Sequence, residues 1–312
     1  MRYDNTGIFI YGSYISFGKA RKIMSVARCP ASGGELIQGW ILGSEKLVSC
    51  PIDWYSTVEV REGVPLVNER PLARAMVNTL LARWGYPPTL SQTLRIEIDS
   101  TIPVAKGMAS STADIAATAV ATAHHLGHSL SESELATLCV SLEPTDSTLF
   151  HALTLFDHHH AQTQIACAPA PHFDLLVLEN PVQLRTADYH RLPRRPALEA
   201  NAGVLQQAWD KVQTACTGNN PSLLGEAATL SAVASQTLLP KPGFTALLSL
   251  VERFGLYGLT VAHSGSVVGL MLDRRYHDVD YLHWALAQRD LAAHWPQRHL
   301  LASVNGGVQA SA

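Results

Sequence analysis

A proline-led loop that runs straight into an alanine-rich helix constrains this chain more than any other stretch. Residues 102–127 read IPVAKGMASSTADIAATAVATAHHLG, with Lys106, Gly107, Met108, Ala109, Ser110 and Ser111 where the helix begins. Gly107 can take backbone angles barred to other residues and lets a ligand approach the main chain. Ser110 and Ser111 fall where a helix leaves its first N–H groups unpaired. Those groups, with the helix dipole, make an anion site suited to phosphate. Lys106 adds a mobile positive charge, and a serine hydroxyl can ligate Mg2+. The segment is built like a phosphate cradle. A plainer reading uses the same residues: Ser111-Thr112-Ala113-Asp114 fits a capping box, with Ser111 as N-cap and Asp114 reaching back, and needs no ligand. The G-x-x-x-x-G-K-[ST] spacing of a Walker loop is absent.

Around this segment the chain alternates strand and helix patterns. Residues 24–29, 47–52, 55–60 and 93–99 read as strands, and 70–85 as a helix closing on Gly85. Residues 131–142 read as a helix with Ser131 as N-cap. The composition shifts at ACAPAPHFD, residues 166–174, where a domain boundary is expected before the strand at 173–180. Helices follow near 195–216, 221–236 and 243–254, then strands near 257–263 and 266–272 around a Ser-Gly turn. Both halves are α+β. With 312 residues, 47% of them hydrophobic, the chain can hold one large domain or two moderate ones. A net charge of −3 speaks against a nucleic-acid partner. No apolar run approaches the length of a membrane span. Five scattered cysteines, with no CxxC pair, read as reduced thiols of a cytoplasmic protein. Residues 1–23 read as an N-terminal extension, with Met24 an alternative start.

Glu143-Pro144-Thr145-Asp146 sets two carboxylates three positions apart. Pro144 disfavours helix at Glu143, so both are displayed at a helix end or turn; alone, they read as an exposed acidic turn. Asp157-His158-His159-His160 invites a metal reading, but consecutive histidines cannot all face one way and no partner motif appears. His124-His125 reads as the wet end of a helix.

Three motifs, taken in order, carry a family resemblance. Cys29-Pro30-Ala31-Ser32-Gly33-Gly34-Glu35, then Pro103-x-x-x-Gly107-x-x-Ser110-Ser111, then Gly258 to Ser266 (GLTVAHSGS) resemble the three motifs of the GHMP kinases. The resemblance spans roughly residues 24–275. It implies a two-domain α+β fold: a domain like the second domain of ribosomal protein S5 over 24–170, and a ferredoxin-like domain over 171–312. It implies ATP as co-substrate, its phosphates over Pro103, Val104, Ala105, Lys106, Gly107, Met108, Ala109, Ser110, Ser111 and Thr112. Mg2+ would be held by Ser111 and Glu143, and Asp146 would be the catalytic base. Substrate would meet Ser32, Gly33, Gly34, Glu35, Thr145, His263, Ser264 and Gly265. In this frame Glu35 meets the ammonium of an amino acid, or else stands as a solvated loop carboxylate. His263-Ser264-Gly265 folds back over the nucleotide loop as a β-turn in which Gly265 supplies positive φ. Arg185 is a candidate for a substrate carboxylate.

Longer stretches, among them CPASGGELIQGW, EPTDST and TLLPKPGFTALLSLVERFGLYGLTVAHSGSVVGLMLDR, resemble the branch of the family that phosphorylates free L-threonine for the aminopropanol linker of cobalamin. Homoserine or another small alcohol is the alternative substrate, and a non-catalytic ATP-binding protein is the alternative class. Two departures from the family pattern stand out. The spacing from Glu143 to Asp146 is short, and the first motif lacks the basic residue that galactokinases and mevalonate kinases place there. Homoserine kinases are thought to work without a strong base, so binding substrate is an alternative role for Asp146.

Overall fold

In the computed structural model, which describes residues 25–182 and 193–311, a long hairpin of β1 (Ser25–Ile41) and β2 (Ser44–Glu62) organises the rest. Its turn residues Leu42 and Gly43 have φ of 49° and 83°, the left-handed pair a two-residue hairpin needs. β2 joins in one strand the two stretches read separately at 47–52 and 55–60. Pro51 and Asp53 interrupt the alternation, but the pairing continues. The irregularity is absorbed as a bulge in β2 opposite Pro30 and Ala31, and bulges in β1 between Ser32 and Glu35 and between Glu35 and Ile37. The motif Cys29–Glu35 therefore lies within a bulged strand.

Helix α1 (Pro71–Arg83) precedes Gly85, whose φ of 71° fits the expected stop. β3 (Leu94–Ser100) leads into α2 (Ser110–His125). α3 (Glu132–Val140) starts on the Ser131–Glu134 capping box. β4 (Thr154–Phe156), β5 (Gln164–Ala166) and β6 (Asp174–Glu179) follow. Next come α4 (Arg195–Ala200), α5 (Ala202–Thr217), α6 (Pro221–Ser235) and α7 (Phe244–Phe254). The chain closes with β7 (Gly258–Val261), β8 (Val268–Leu272), α8 (Val279–Leu286), α9 (Arg289–His294), β9 (Gln297–Ala302) and β10 (Gln309–Ser311). The strand order is β5-β4-β2-β1-β7-β8-β6-β9, with β3 also on β2 and β10 on β1. The pairings are antiparallel. The first and second halves of the sheet meet where Glu35 of β1 pairs with Val261 of β7.

The alanines of α2 explain its position. Ala113, Ala116, Ala117, Ala119, Ala121 and Ala123 are all buried. Small side chains let the helix lie close against β1, β2 and α1. Its buried hydroxyls are used internally: Thr118 donates to the Asp114 carbonyl and Thr122 to that of Thr118, each at 2.7 Å. β6 is buried on both faces, with Leu175 and Val177 in the larger apolar cluster and Leu176 and Leu178 in the smaller. No helix among the described residues is long and apolar enough to cross a membrane. The five cysteines are free thiols. Cys167 and Cys216, distant in sequence, nevertheless lie beside each other. The extension at 1–23 and Arg185 lie outside the described residues.

Candidate active site

The glycine–serine loop is shaped by backbone conformation. Ala105, Gly107 and Ala109 hold φ of 59°, 77° and 62°. Left-handed residues recurring at every second position turn successive N–H groups toward one side, the arrangement of an anion-binding nest. Such conformations cost an alanine roughly 1–3 kcal/mol each, and persist where surrounding structure holds them for a ligand. α2 begins at Ser110, with left-handed Ala109 at its N-cap and no side chain capping its first N–H groups. The capping-box reading is therefore overturned: Ser111 lies inside the first turn. Asp114 instead forms an ion pair with Arg70 and accepts a 2.5 Å hydrogen bond from the Ser56 hydroxyl.

Contacts from distant strands hold the loop. Ser32 N–H donates to the Met108 carbonyl at 3.1 Å, and Ser266 N–H to the Lys106 carbonyl at 3.0 Å. Gly107 and Gly265 touch so closely that a β-carbon on Gly107 would lie 2.6 Å from the Gly265 α-carbon. The C-terminal motif thus folds over the loop. The role expected of Gly265 is corrected, because it is absent from the residues with positive φ. It is needed for space, since a β-carbon there would lie 2.1 Å from the Lys106 carbonyl oxygen. The Lys106 ammonium is not mobile. It is buried and donates to the Asn180 carbonyl at 2.5 Å. Lys241 donates to the Gly265 carbonyl at 2.6 Å, and burial pushes its amine down to about 7.

The acidic motif is folded inward, not displayed as an exposed turn. Thr112 Oγ1 donates to the Asp146 carboxylate at 3.2 Å and accepts from the Asp146 N–H at 3.1 Å. Burial raises the Asp146 carboxyl, while His263 and the Thr112 hydroxyl oppose that rise. Glu143 is also raised, chiefly by burial, against a hydrogen bond from Ser111. Ser111 and Glu143 thus meet as a pair of oxygen donors at the mouth of α2. Thr145 is committed locally, its hydroxyl donating to the Glu143 carbonyl at 2.9 Å.

Glu35 is not a solvated loop carboxylate. It is 1% exposed, in the bulged part of β1. Its Cα partner across the ladder is Ser49, whose hydroxyl hydrogen-bonds the carboxyl. Ser49 in turn clasps Ser147: each residue's N–H donates to the other's hydroxyl, at 2.8 and 3.1 Å. This clasp sets Asp146, next along the chain, against Glu35. Burial first, and then the Asp146 charge, hold the Glu35 carboxyl well above its ordinary range. Gly33 and Gly34 keep this strand close to its neighbours. The Gly33 carbonyl accepts from Thr260 at 2.6 Å, and a β-carbon on Gly34 would lie 2.9 Å from the Val261 backbone.

The histidine run does have partners. His158 and His263 bring ring nitrogens within 4.8 Å of each other and of a Glu45 carboxylate oxygen. Arg194 already engages Glu45 at 2.8 Å, and His263 Nε2 lies 3.1 Å from it. Burial alone would raise Glu45, yet hydrogen bonds with His159 and His263 and the Arg194 guanidinium hold it well below the usual range. Sequence reasoning missed Glu45, Ser49, Ser147, Arg194 and Lys241. Lys241 alone left a signal, a lysine between two prolines in LLPKPG. Ser264, half the expected turn, is buried beside His263.

A left-handed glycine–serine loop opening a helix, with an oxygen-donor pair and a buried carboxylate beside it, defines an ATP-dependent small-molecule kinase. The chain belongs to the GHMP kinase family. The model of the GHMP kinases N terminal domain matches residues 71–151. An L-threonine kinase of Salmonella typhimurium is 70% identical over 286 residues, covering 92% of this chain and 95% of that protein. An L-threonine kinase of Citrobacter freundii is 68% identical, covering 92% and 99%. Among solved structures, a putative homoserine kinase from Listeria monocytogenes superposes with a TM-score of 0.65 at 15% identity, covering 92% of this chain and 99% of that one. The Methanococcus jannaschii mevalonate kinase superposes with a TM-score of 0.66 at 14% identity, covering 91% and 99%. These last two share the fold.

Proposed function

We propose that this chain transfers the γ-phosphoryl group of ATP to the side-chain hydroxyl of free L-threonine, making O-phospho-L-threonine. The observation that carries this reading is the 70% identity to an L-threonine kinase along nearly the whole length of both proteins. The geometry agrees with an amino-alcohol substrate. The backbone N–H groups of residues 105–111 receive the phosphates, aided by the α2 dipole. Ser111 and Glu143, hard oxygen donors, would hold Mg2+, which would offset the negative charge of the phosphates. Asp146 accepts the hydroxyl proton as the threonine oxygen attacks phosphorus. Burial raises its carboxyl, making it a better proton acceptor than a solvated aspartate, and Thr112 fixes its direction. Glu35 takes the α-ammonium, and His263, held by Glu45, stands beside Asp146. The short Glu143–Asp146 spacing is accommodated by the Ser49–Ser147 clasp, which turns the segment inward. In this reading the product supplies the aminopropanol linker of cobalamin, and the protein works in the cytoplasm.

The test is ADP release from ATP and Mg2+ with L-threonine, L-serine and L-homoserine supplied separately. Threonine should give the highest kcat/KM. A preference for homoserine would move the assignment to that alcohol, and no release with any of them would leave only ATP binding.

A further inference from the structure

Glu35 differs from the other buried acids of the site. Glu45 has Arg194 and two histidines, and Asp114 has Arg70. For Glu35 no cation is paired with the carboxylate among the described residues. Its Oε2 is buried with no hydrogen-bond partner. Its titratable neighbours are Asp146, across the Ser49–Ser147 clasp, and the Cys50 thiol on β2; His263, beyond β7, acts on Asp146. Ser49 is the side chain that counters the rise of its carboxyl. A carboxylate with no countercharge, shut away from water beside a second carboxylate, takes up a proton rather than remain charged.

Resting on the threonine-kinase reading, we infer that the empty site stores a proton on Glu35 and that the α-ammonium of the incoming amino alcohol displaces it. The balance is simple. The Glu35 O–H bond breaks and its proton passes to bulk buffer. The zwitterionic substrate keeps its own three ammonium protons and pairs with the carboxylate left behind. No other bond changes in this step. The ammonium does two things at once: it compensates Glu35, and it places a positive charge next to Asp146, which favours the ionised form that must accept the hydroxyl proton. The substrate's amine thereby switches on the base for its own hydroxyl. A hydroxy acid of the same shape without the amine leaves Glu35 protonated and Asp146 without that charge. The site selects amino alcohols by chemistry as well as by fit.

Isothermal titration of the full-length protein with L-threonine, in buffers of different ionisation enthalpy, counts the protons released. The count should approach about one per threonine on the acid side and fall toward zero as pH rises. Over the same span threonine affinity should rise by up to about tenfold per pH unit. Glu35→Gln, which keeps the shape of the side chain, should abolish the release and flatten the affinity profile, with its fold checked by circular dichroism. Glu35→Asp should retain some release. 3-Hydroxybutyrate should bind without releasing a proton and without turnover. Wild-type protein that phosphorylates threonine but releases no proton at any pH would overturn the inference, as would full release from a folded Glu35→Gln variant. A wild-type protein that does not phosphorylate threonine would sink the functional reading instead, and ADP release separates the two failures.

Discussion

Gly107 and Gly265 come together without room for a side chain on either: a β-carbon on Gly107 would lie 2.6 Å from the Gly265 α-carbon. The glycine–serine loop is a two-piece structure, half from the start of α2 and half from the turn between β7 and β8. Gly107→Val should therefore weaken ATP binding by pushing the two pieces apart, and its φ of 77° adds strain to any side chain. Gly265→Ala should do the same although it does not touch the strained angle. Calorimetric titration with ATP and Mg2+ should show affinity falling at least about tenfold for each, a change of about 1.4 kcal/mol. Unchanged affinity in both variants would reduce the contact to packing.

Lys241 ties the turn to the rest of the protein through the Gly265 carbonyl, and burial brings its amine down to about 7. The charged form is therefore complete below that value and is lost as pH rises through it. Bound phosphates favour the charged form, so KM for ATP should climb as pH rises past about 7, with kcat changing less. Lys241→Arg, which stays charged, should flatten the climb. Steady-state kinetics across pH would tell against this account if the arginine variant kept the same profile.

Asp146 is raised by burial, so it is protonated at a higher pH than a solvated aspartate. If Asp146 is the base, as proposed, it must be ionised, and activity should fall on acidification from above the ordinary aspartate range. Asp146→Asn should lower kcat by about 10²–10⁴-fold while ATP still binds. A rise in KM for threonine with kcat nearly intact would instead make Asp146 a substrate ligand. Glu143→Gln should raise the Mg2+ concentration needed for half-maximal rate, with extra Mg2+ restoring part of the activity.

Asp114 lies 3% exposed beneath Arg70 and Ser56. Asp114→Ala leaves both without their acceptor and should destabilise the fold by about 1–3 kcal/mol. Urea unfolding would measure this. A loss confined to activity, with stability unchanged, would contradict this structural role.

Much of this arrangement was legible in the sequence because its signals are local. Ser131 and Glu134 lie three residues apart and form the expected capping box. Gly85 stops its helix where a left-handed residue is needed. The three motifs could be set in order, although their contacts could not be derived from spacing. Failures came where partners are remote or where one residue type serves two purposes. Ser111-x-x-Asp114 satisfies the capping pattern, but left-handed Ala109 caps the helix two residues earlier, and Asp114 pairs with Arg70 instead. Glu35 follows two glycines, a loop signal, yet those glycines serve the close approach of β7 and a bulge within β1. The histidine run looked partnerless because Glu45 and His263 arrive from opposite ends of the chain.

The most direct measurement of the central claim is a competition. ATP, Mg2+ and equal concentrations of L-threonine, L-serine and L-homoserine are mixed with the protein, and the phosphorylated products are resolved by mass spectrometry and 31P NMR. Product ratios then report the ratios of kcat/KM. Losing the β-methyl should cost serine about 1–3 kcal/mol, roughly 10–200-fold. Homoserine, with its hydroxyl one carbon farther from its ammonium group, should be disfavoured as well. O-phospho-L-threonine as the dominant product is the predicted result; O-phospho-L-homoserine in excess would contradict it.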